Sequence, residues 1–426
     1  MRLKITGLNP LSGLVKIGGA KNAALKVMAA SLLAGGSCRL MGIPKITDVN
    51  TMADVLRGLG ATVDFQQDSS ILIDPSGVNK LEPPEESVIK MRASIQVMGP
   101  LLARFGYVRT RQPGGCDIGP RPIDLHLKGF SALGAEIKKE HGYISAKASK
   151  LKGTEILLDV PSVGATENIM TAACLAEGIT VLRNAAREPE IIDEQNFLNR
   201  LGANIKGAGT DTIKIEGVRE LKATEYTIIP DRIEAATFML AIAVAGGEAL
   251  IENVIVEHQQ ALIAKLRETG MELIEGDNYV IVGRPVEKRL KATNIRTLPY
   301  PGFPTDVQPQ FVAAMSLAEG TSEIIEGVFP LRFKYTEELT RMGAKATVDG
   351  KLAIITGVPG LHGIKLEAPD LRGGAALVLA ALAGEGVTEL KGLKHIDRGY
   401  EDLPGKLRLL GASIERTGIR KELQAG

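Results

Sequence analysis

An excess of charge of either sign is missing from this sequence: 51 Lys and Arg stand against 50 Asp and Glu, a formal net charge of +1. Without a basic excess there is no electrostatic footprint for nucleic acid or an anionic membrane, so any anion must be met by locally placed groups. Cysteine is scarce. Cys38, Cys116 and Cys174 are odd in number and widely scattered, which argues against a disulfide scaffold and for a reducing compartment. They share no metal-ligand spacing, and no metal is expected. Long apolar runs are absent as well: the longest, residues 375–383, is far short of the roughly 20 residues of a membrane span. The opening Met-Arg-Leu-Lys-Ile-Thr-Gly lacks the apolar core of a signal peptide, so the expected location is the cytoplasm. Gly18-Gly19 is not followed by the rest of a Gly-x-Gly-x-x-Gly fingerprint, and no dinucleotide or other cofactor is expected.

What the sequence does have is repetition. At 426 residues the chain is long for one core, and two domains of about 200 residues are expected. Leu-Gly-Ala, or a close variant, recurs at Gly60, Gly134, Gly202, Gly270, Gly343 and Gly411. Each copy ends a helix-like stretch and precedes alternating residues broken by a short turn, the pattern of two neighbouring strands. Upstream in every unit a more apolar helix stops at a second glycine: Gly35, Gly106, Gly178, Gly246, Gly320 or Gly386. Helices apolar nearly all round should be buried.

Counting back fourteen residues from these stops reaches Lys21, Arg92, Gly164, Arg232, Asp306 and Arg372. Fourteen helical residues span about 21 Å, so these side chains should stand at the N-terminal ends of buried helices. Free amides and partial positive charge there suit phosphate and carboxylate. For any one position a cap or a solvated base is the simpler account. Five charges in register at the ends of oily helices are harder to explain that way. Six units, three and three, predict two similar domains, each a ring of buried helices enclosed by mostly solvent-facing sheets. The hinge is expected near the Pro-Asp-Arg-Ile-Glu at 230–234.

A different kind of stretch lies at 111–126, Arg-Gln-Pro-Gly-Gly-Cys-Asp-Ile-Gly-Pro-Arg-Pro-Ile-Asp-Leu-His. Its prolines and glycines exclude a helix interior or central strand and predict a mobile loop. Cys116 sits between Arg111 and Arg121, and positive charge beside a thiol favours nucleophilic or proton-transfer chemistry. An inert cysteine in a turn is the alternative.

Together, several motifs resemble one family. They are Gly-Ala-Lys-Asn-Ala-Ala-Leu at 19–25, Met-Arg-Ala-Ser-Ile at 91–95, the 113–126 loop, Ser-Val-Gly-Ala-Thr at 162–166, Ala-Ala-Arg-Glu-Pro-Glu-Ile at 185–191, Pro-Asp-Arg-Ile-Glu at 230–234, Phe-Pro-Thr-Asp at 303–306, Asp-Leu-Arg at 370–372 and His-Ile-Asp-Arg-Gly-Tyr-Glu at 395–401. In this order they resemble the UDP-N-acetylglucosamine 1-carboxyvinyltransferases, the enolpyruvyl transferases of peptidoglycan synthesis. The related 5-enolpyruvylshikimate 3-phosphate synthases share the fold but lack the Gly-Gly-Cys loop.

The resemblance implies an α/β fold, an inside-out α/β barrel of the EPSP synthase type: two pseudo-threefold domains of βαβαββ units, at 22–229 and at 1–21 with 230–426, and the active site in the cleft between them. It implies transfer of the enolpyruvyl group of phosphoenolpyruvate to the sugar 3-hydroxyl, with phosphate released through a tetrahedral ketal, at the first committed step of that pathway. By resemblance Cys116 protonates the methylene carbon and can form a covalent thioketal adduct, while Asp306 takes the hydroxyl proton. Lys21, Asn22, Arg121, Arg372 and Arg398 are the implied phosphoenolpyruvate ligands. Arg92, Arg121, Pro122, Ile123, Asp124, Leu125, Ser162, Val163, Gly164, Asp306 and Val328 are those for UDP-N-acetylglucosamine. A loop carrying Cys116 that closes as the domains approach would keep water from the oxocarbenium-like centre. The expected partners are these two small molecules, with no nucleic acid, membrane or obligate protein.

Other chemistry-bearing residues have quieter readings. His126 and His395 are expected to orient or to pack, Asp231, Glu188 and Glu190 to hold arginines, and Cys38 and Cys174 to pack. Three departures stand out. Val160-Pro161 replaces a family lysine two residues before Ser162, which puts one diphosphate contact in question. Asp117 should oppose thiolate formation at Cys116. Gly373-Gly374 should loosen the start of its helix. Two competing readings are an enolpyruvyl transferase for another acceptor and a non-catalytic nucleotide-sugar sensor, and the joint presence of Cys116, Asp306, Lys21 and Arg398 argues against the sensor.

Overall fold

The computed structural model describes residues 1–114, 119 and 122–418. The chain divides into two compact units. The first holds residues 19–114 and 122–229, the second residues 1–18, 119 and 230–418. The first crossing falls at Gly18-Gly19, three residues before the expected one, so Lys21 belongs to the first unit. The cores follow the same division: Ile17 packs in the core of the second unit and Ala20 in that of the first.

In the second unit three four-stranded sheets repeat one plan. One runs Ile295–Arg296, Thr321–Ile325, Leu352–Thr356, Lys345–Asp349, with a parallel first pair and antiparallel remainder. The sheet built on Gly247–Glu252 takes its parallel partner, Leu11–Lys16, from the chain start. The sheet built on Val387–Lys391 receives Arg2–Thr6 between itself and Ser413–Thr417. Among the described residues the last repeat therefore has no final strand of its own sequence, and the first residues supply it. Period-two alternation fixes which face turns inward: Leu3 and Ile5 are buried while Arg2, Lys4 and Thr6 are exposed.

The first unit follows the plan with one departure. Glu225–Thr227 closes the sheet of Cys38–Met41, Ile71–Asp74 and Thr62–Phe65, and a second four-stranded sheet is built on Ile179–Arg183. The middle sheet has three described strands, Tyr107–Arg111, Tyr143–Lys147 and Glu136–Glu140. The helix Glu85–Lys90 lies where the repeat calls for its first strand, leaving one main-chain bond from Arg109 N to Leu81 O at 2.9 Å. Pro83-Pro84 followed by two glutamates explains the change, because proline lacks the ladder donor and acids favour a helix N-terminus.

The apolar helices lie inside. Every residue of Leu371–Leu382 is buried, as is all of Arg232–Ala245 except Arg232. Each buried Leu, such as Leu377 and Leu379, contributes about 1.5–3 kcal/mol. The six Leu-Gly-Ala-type glycines all adopt left-handed backbone, φ between 88° and 109°, where a side chain would be strained. This geometry is why the tripeptide recurs. Among the described residues no helix is long and apolar enough to cross a membrane.

Candidate active site

All six counted positions stand at helix starts. Lys21, Arg92 and Arg232 are first residues of helical segments, Gly164 and Arg372 second residues, and Asp306 lies in the 3-10 turn Thr305–Val307 that leads into Gln308–Met315. Neighbours one or two residues earlier do the capping. Ser162 accepts from Ala165 N, Asp231 from the amides of Ile233 and Glu234, and Asp370 from those of Arg372 and Gly373. The Arg232 and Arg372 side chains are thereby left for other partners, since the capping is done by the aspartate before each.

In the first unit Lys21 is buried, its Nζ 2.7 Å from Asp48 Oδ2, and Asn22 follows it on the same helix. Arg92 donates to the Pro122 carbonyl at 3.2 Å, which ties the start of one buried helix to the strand-to-helix passage at 122–124. Gly164 lies against His126: a Cβ there would come within 3.2 Å of His126 Cε1 and 3.3 Å of Gln96 Nε2, so the backbone stays open at that helix start. His126 Nδ1 is 3.0 Å from Asn168 Nδ2. The Asn168 amide oxygen takes the Gly99 amide at 2.7 Å, so its nitrogen donates and the imidazole proton sits on Nε2. Burial, then Arg92 and Lys26, push His126 down to about 3. It is a neutral packing and orienting residue, not an acid or base. Ile123 is buried in the core, which leaves its main chain for any ligand. Asp124 is exposed and paired with Lys139 at 3.2 Å. Val160 is exposed.

In the second unit Asp306 is held from two sides. Arg332 Nη2 lies 2.8 Å from Oδ1, and Arg372 Nη2 lies 3.2 Å from Oδ2. Both arginine side chains are buried while the carboxylate keeps 28% of its surface, so the acid is the accessible member of the group. Burial works against the Arg372 charge, but Tyr400, Asp306 and Asp231 outweigh it and raise its pKa. The Tyr400 ring lies under the Arg372 guanidinium, 5.2 Å away. Arg398, two residues before Tyr400, is half-buried in the turn after Leu393–Ile396. His395 is pushed down by burial, Lys394 and Arg398. The Val328 amide donates to Glu326 Oε1 at 2.8 Å, and Glu326 Oε2 takes the Thr305 hydroxyl at 3.0 Å, fixing the turn beside Asp306.

One expectation fails. Gly373-Gly374 does not loosen its helix, because Asp370 ties the first amides and a Cβ on Gly374 would meet Ile396 Cγ1 at 2.8 Å. The pair lets the helix approach the segment that leads to Arg398. Cys116, Asp117 and Arg121 lie outside the described residues. Arg332 was not legible in the sequence: Pro-Leu-Arg-Phe-Lys at 330–334 is off the counted register, and only folding brings Arg332 to Asp306. Lys26 and Glu167 were missed because each lies inside an apolar helix.

The family profile described as EPSP synthase (3-phosphoshikimate 1-carboxyvinyltransferase) matches residues 5–407. UDP-N-acetylglucosamine 1-carboxyvinyltransferase 1 of Caldanaerobacter subterraneus subsp. tengcongensis is 55% identical over 407 residues, 96% of this chain and 97% of that one. UDP-N-acetylglucosamine 1-carboxyvinyltransferase 2 of Carboxydothermus hydrogenoformans is 54% identical over 412 residues, 97% of this chain and 98% of that one. Among solved structures, the enolpyruvyl transferase NikO from Streptomyces tendae superposes with a TM-score of 0.88 at 27% identity, over 97% of this chain and 98% of that one. An EPSP synthase from Acinetobacter baumannii, at TM-score 0.73 and 20% identity over 97% and 99% of the two chains, shares the fold. With its repeats, its helix-start cations and identities above one half along nearly the full length of both chains, the protein belongs to the EPSP synthase family of enolpyruvyl transferases, in its UDP-N-acetylglucosamine 1-carboxyvinyltransferase group.

Proposed function

We propose that this protein transfers the enolpyruvyl group of phosphoenolpyruvate to the 3-hydroxyl of UDP-N-acetylglucosamine and releases phosphate. The observation that carries the reading is the arrangement around Asp306, an accessible carboxylate held between two buried guanidinium groups at the start of an apolar helix. Such a group is fixed in aim and can still take a proton.

Phosphoenolpyruvate brings close to three negative charges, which several converging cations must meet. Lys21 and Asn22 of the first unit, Arg372 and Arg398 of the second, and Arg121 serve that purpose. Arg92, Arg121, Pro122, the main chain of Ile123, Asp124, Leu125, Ser162, Val163, Gly164 and Val328 receive the nucleotide sugar. Cys116 gives a proton to the methylene carbon, and Asp306 takes the proton of the sugar hydroxyl as its oxygen bonds to the adjacent carbon. The ketal then loses phosphate: the bond from the ketal carbon to the phosphate oxygen breaks, the methyl group returns a proton to the Cys116 thiolate, Asp306 gives its proton to the departing phosphate, and the enol ether forms. Water must be kept from the electron-poor carbon, a task assigned to the 113–126 loop. The work is placed in the cytoplasm, at the first committed step of peptidoglycan synthesis, with no obligate protein partner.

Phosphate release from phosphoenolpyruvate is the test. Release that depends on UDP-N-acetylglucosamine and not on shikimate 3-phosphate is expected. Release with shikimate 3-phosphate would point to another acceptor, and binding of the nucleotide sugar without release would point to a sensor.

A further inference from the structure

Three buried helices of the first unit begin with residues assigned to substrate, and one fully buried carboxylate ties those beginnings together. Glu167, in Val163–Ala173, has no exposed surface. Its Oε2 lies 3.0 Å from Lys26 Nζ and accepts from Gln96 Nε2 at 3.0 Å. Lys26 Nζ also donates to the Asn22 carbonyl at 3.2 Å, and Gln96 Nε2 reaches the Gly164 carbonyl at 3.2 Å. The carboxylate therefore connects the turn that carries Lys21 and Asn22, the segment that begins at Arg92, and its own helix start at Ser162–Gly164. Thr171 and Glu194 extend the cluster to Pro189–Leu201, where the Thr171 hydroxyl meets Glu194 Oε1 at 3.1 Å.

A buried ion pair is a weak source of stability. Desolvation costs about as much as attraction returns, and apolar replacements of the whole pair are often neutral or stabilising. A pair kept in the interior, about one turn from three segments assigned to substrate, has positional value instead. We propose that Glu167 is a positioning residue for the transferase: through Lys26 and Gln96 it sets the spacing of Asn22, Arg92 and Ser162–Gly164, and so the affinity for both substrates. The inference rests on the function proposed above. It involves no contact between Glu167 and substrate.

Three variants separate position from stability. Glu167→Gln keeps the hydrogen bond from Gln96 and removes the carboxylate charge, and Lys26→Met/Glu167→Gln removes both charges; at pH 8 both should keep Tm within a few degrees of the parent or above it. If the role is positional, KM for UDP-N-acetylglucosamine and for phosphoenolpyruvate is raised about tenfold in the double variant while kcat changes by less than about threefold. If the role is only structural, KM in a double variant of undiminished Tm matches the parent's, and the inference is overturned. Gln96→Met keeps the ion pair and cuts the tie to Gly164. It should raise KM for the nucleotide sugar several-fold and leave that for phosphoenolpyruvate nearly unchanged, and it decides the matter even if neither Glu167 variant folds. An unaltered KM for the sugar in Gln96→Met would also overturn the inference. Calorimetric titration with UDP-N-acetylglucosamine needs no turnover. A parent protein that binds the sugar without reacting would therefore count against the proposed transfer and leave the positioning test standing.

Discussion

Asp306 and Cys116 divide the proton work proposed for this protein, and they differ in how the chain prepares them. Asp306 is fixed by Arg332 and Arg372, both charged at any working pH. Its preparation is geometric. Cys116 is prepared by chemistry, since a thiol is acidic enough to give up a proton near neutral pH and a hydroxyl is not. Cys116→Ser should therefore lower turnover at least about 100-fold, the usual scale for a proton-transfer group, while the affinity for UDP-N-acetylglucosamine stays within about twofold. Phosphate release and calorimetric titration of the same preparation check both halves, and undiminished turnover would remove Cys116 from the mechanism. Lys21, Arg92 and Arg372 were legible in the sequence because each stands a fixed distance from a glycine stop. Their partners were not. Lys26 and Glu167 lie 141 positions apart, and Arg332 reaches Asp306 from a segment with no periodic signal, so only tertiary packing joins them.

The repeating helix–glycine–strand unit was readable because six glycines must all take a left-handed backbone, a demand that leaves the same tripeptide behind each time. The exception at Glu85–Lys90 was readable in principle, from Pro83-Pro84, but the regularity of the repeat masked it. Helix-to-helix distance was not readable at all. In the first unit the helix Met98–Phe105 approaches Val163–Ala173 so closely that a Cβ on Gly99 would lie 2.4 Å from the Asn168 carbonyl oxygen and 2.6 Å from its Oδ1. That Asn168 side chain also holds the Gly99 amide, the Ile95 carbonyl and His126. Gly99→Ala is consequently expected to destabilise the protein by about 2–3 kcal/mol, the upper part of the overpacking range, despite alanine's better helix propensity. Urea unfolding measures it. A neutral or stabilising effect would mean that the two helices can separate without loss, and that the Asn168 network does not depend on their spacing.

Across the whole molecule the acids and bases balance, but the buried acids do not. Glu167, Glu190, Asp193 and Glu194 are all buried in the first unit. Burial pushes Glu167 up to about 7 from an ordinary 4.5, with Lys26 opposing and Glu190 and Glu188 adding. Asp193 is pushed up to about 6 from 3.8, again by burial, against hydrogen bonds from Tyr226 and Ile229 and with Glu190 adding. Glu194 is raised well above its usual range by burial, Glu167 and Asp193, with Lys26 and Thr171 opposing. In the second unit burial also raises Glu234, against Lys406. The sign follows from linkage. With folded pKa values above the unfolded ones, the native state holds more protons than the unfolded state between about pH 4 and 7. The stability these groups contribute is complete below that window and is lost as pH rises through it. His126, pushed down to about 3 by burial, works the other way below its usual 6.5, but the four raised carboxylates outweigh this one group, so thermal unfolding should occur several degrees higher at pH 5 than at pH 8, at about 3 °C per kcal/mol for units of this size. Glu194→Gln removes one of the titrating groups and keeps its oxygen for Thr171, so it should flatten the dependence by raising the pH 8 value towards the pH 5 value. A midpoint that rises from pH 5 to pH 8 in the parent would show that these carboxylates fold ionised, with their charge met by groups other than Lys26.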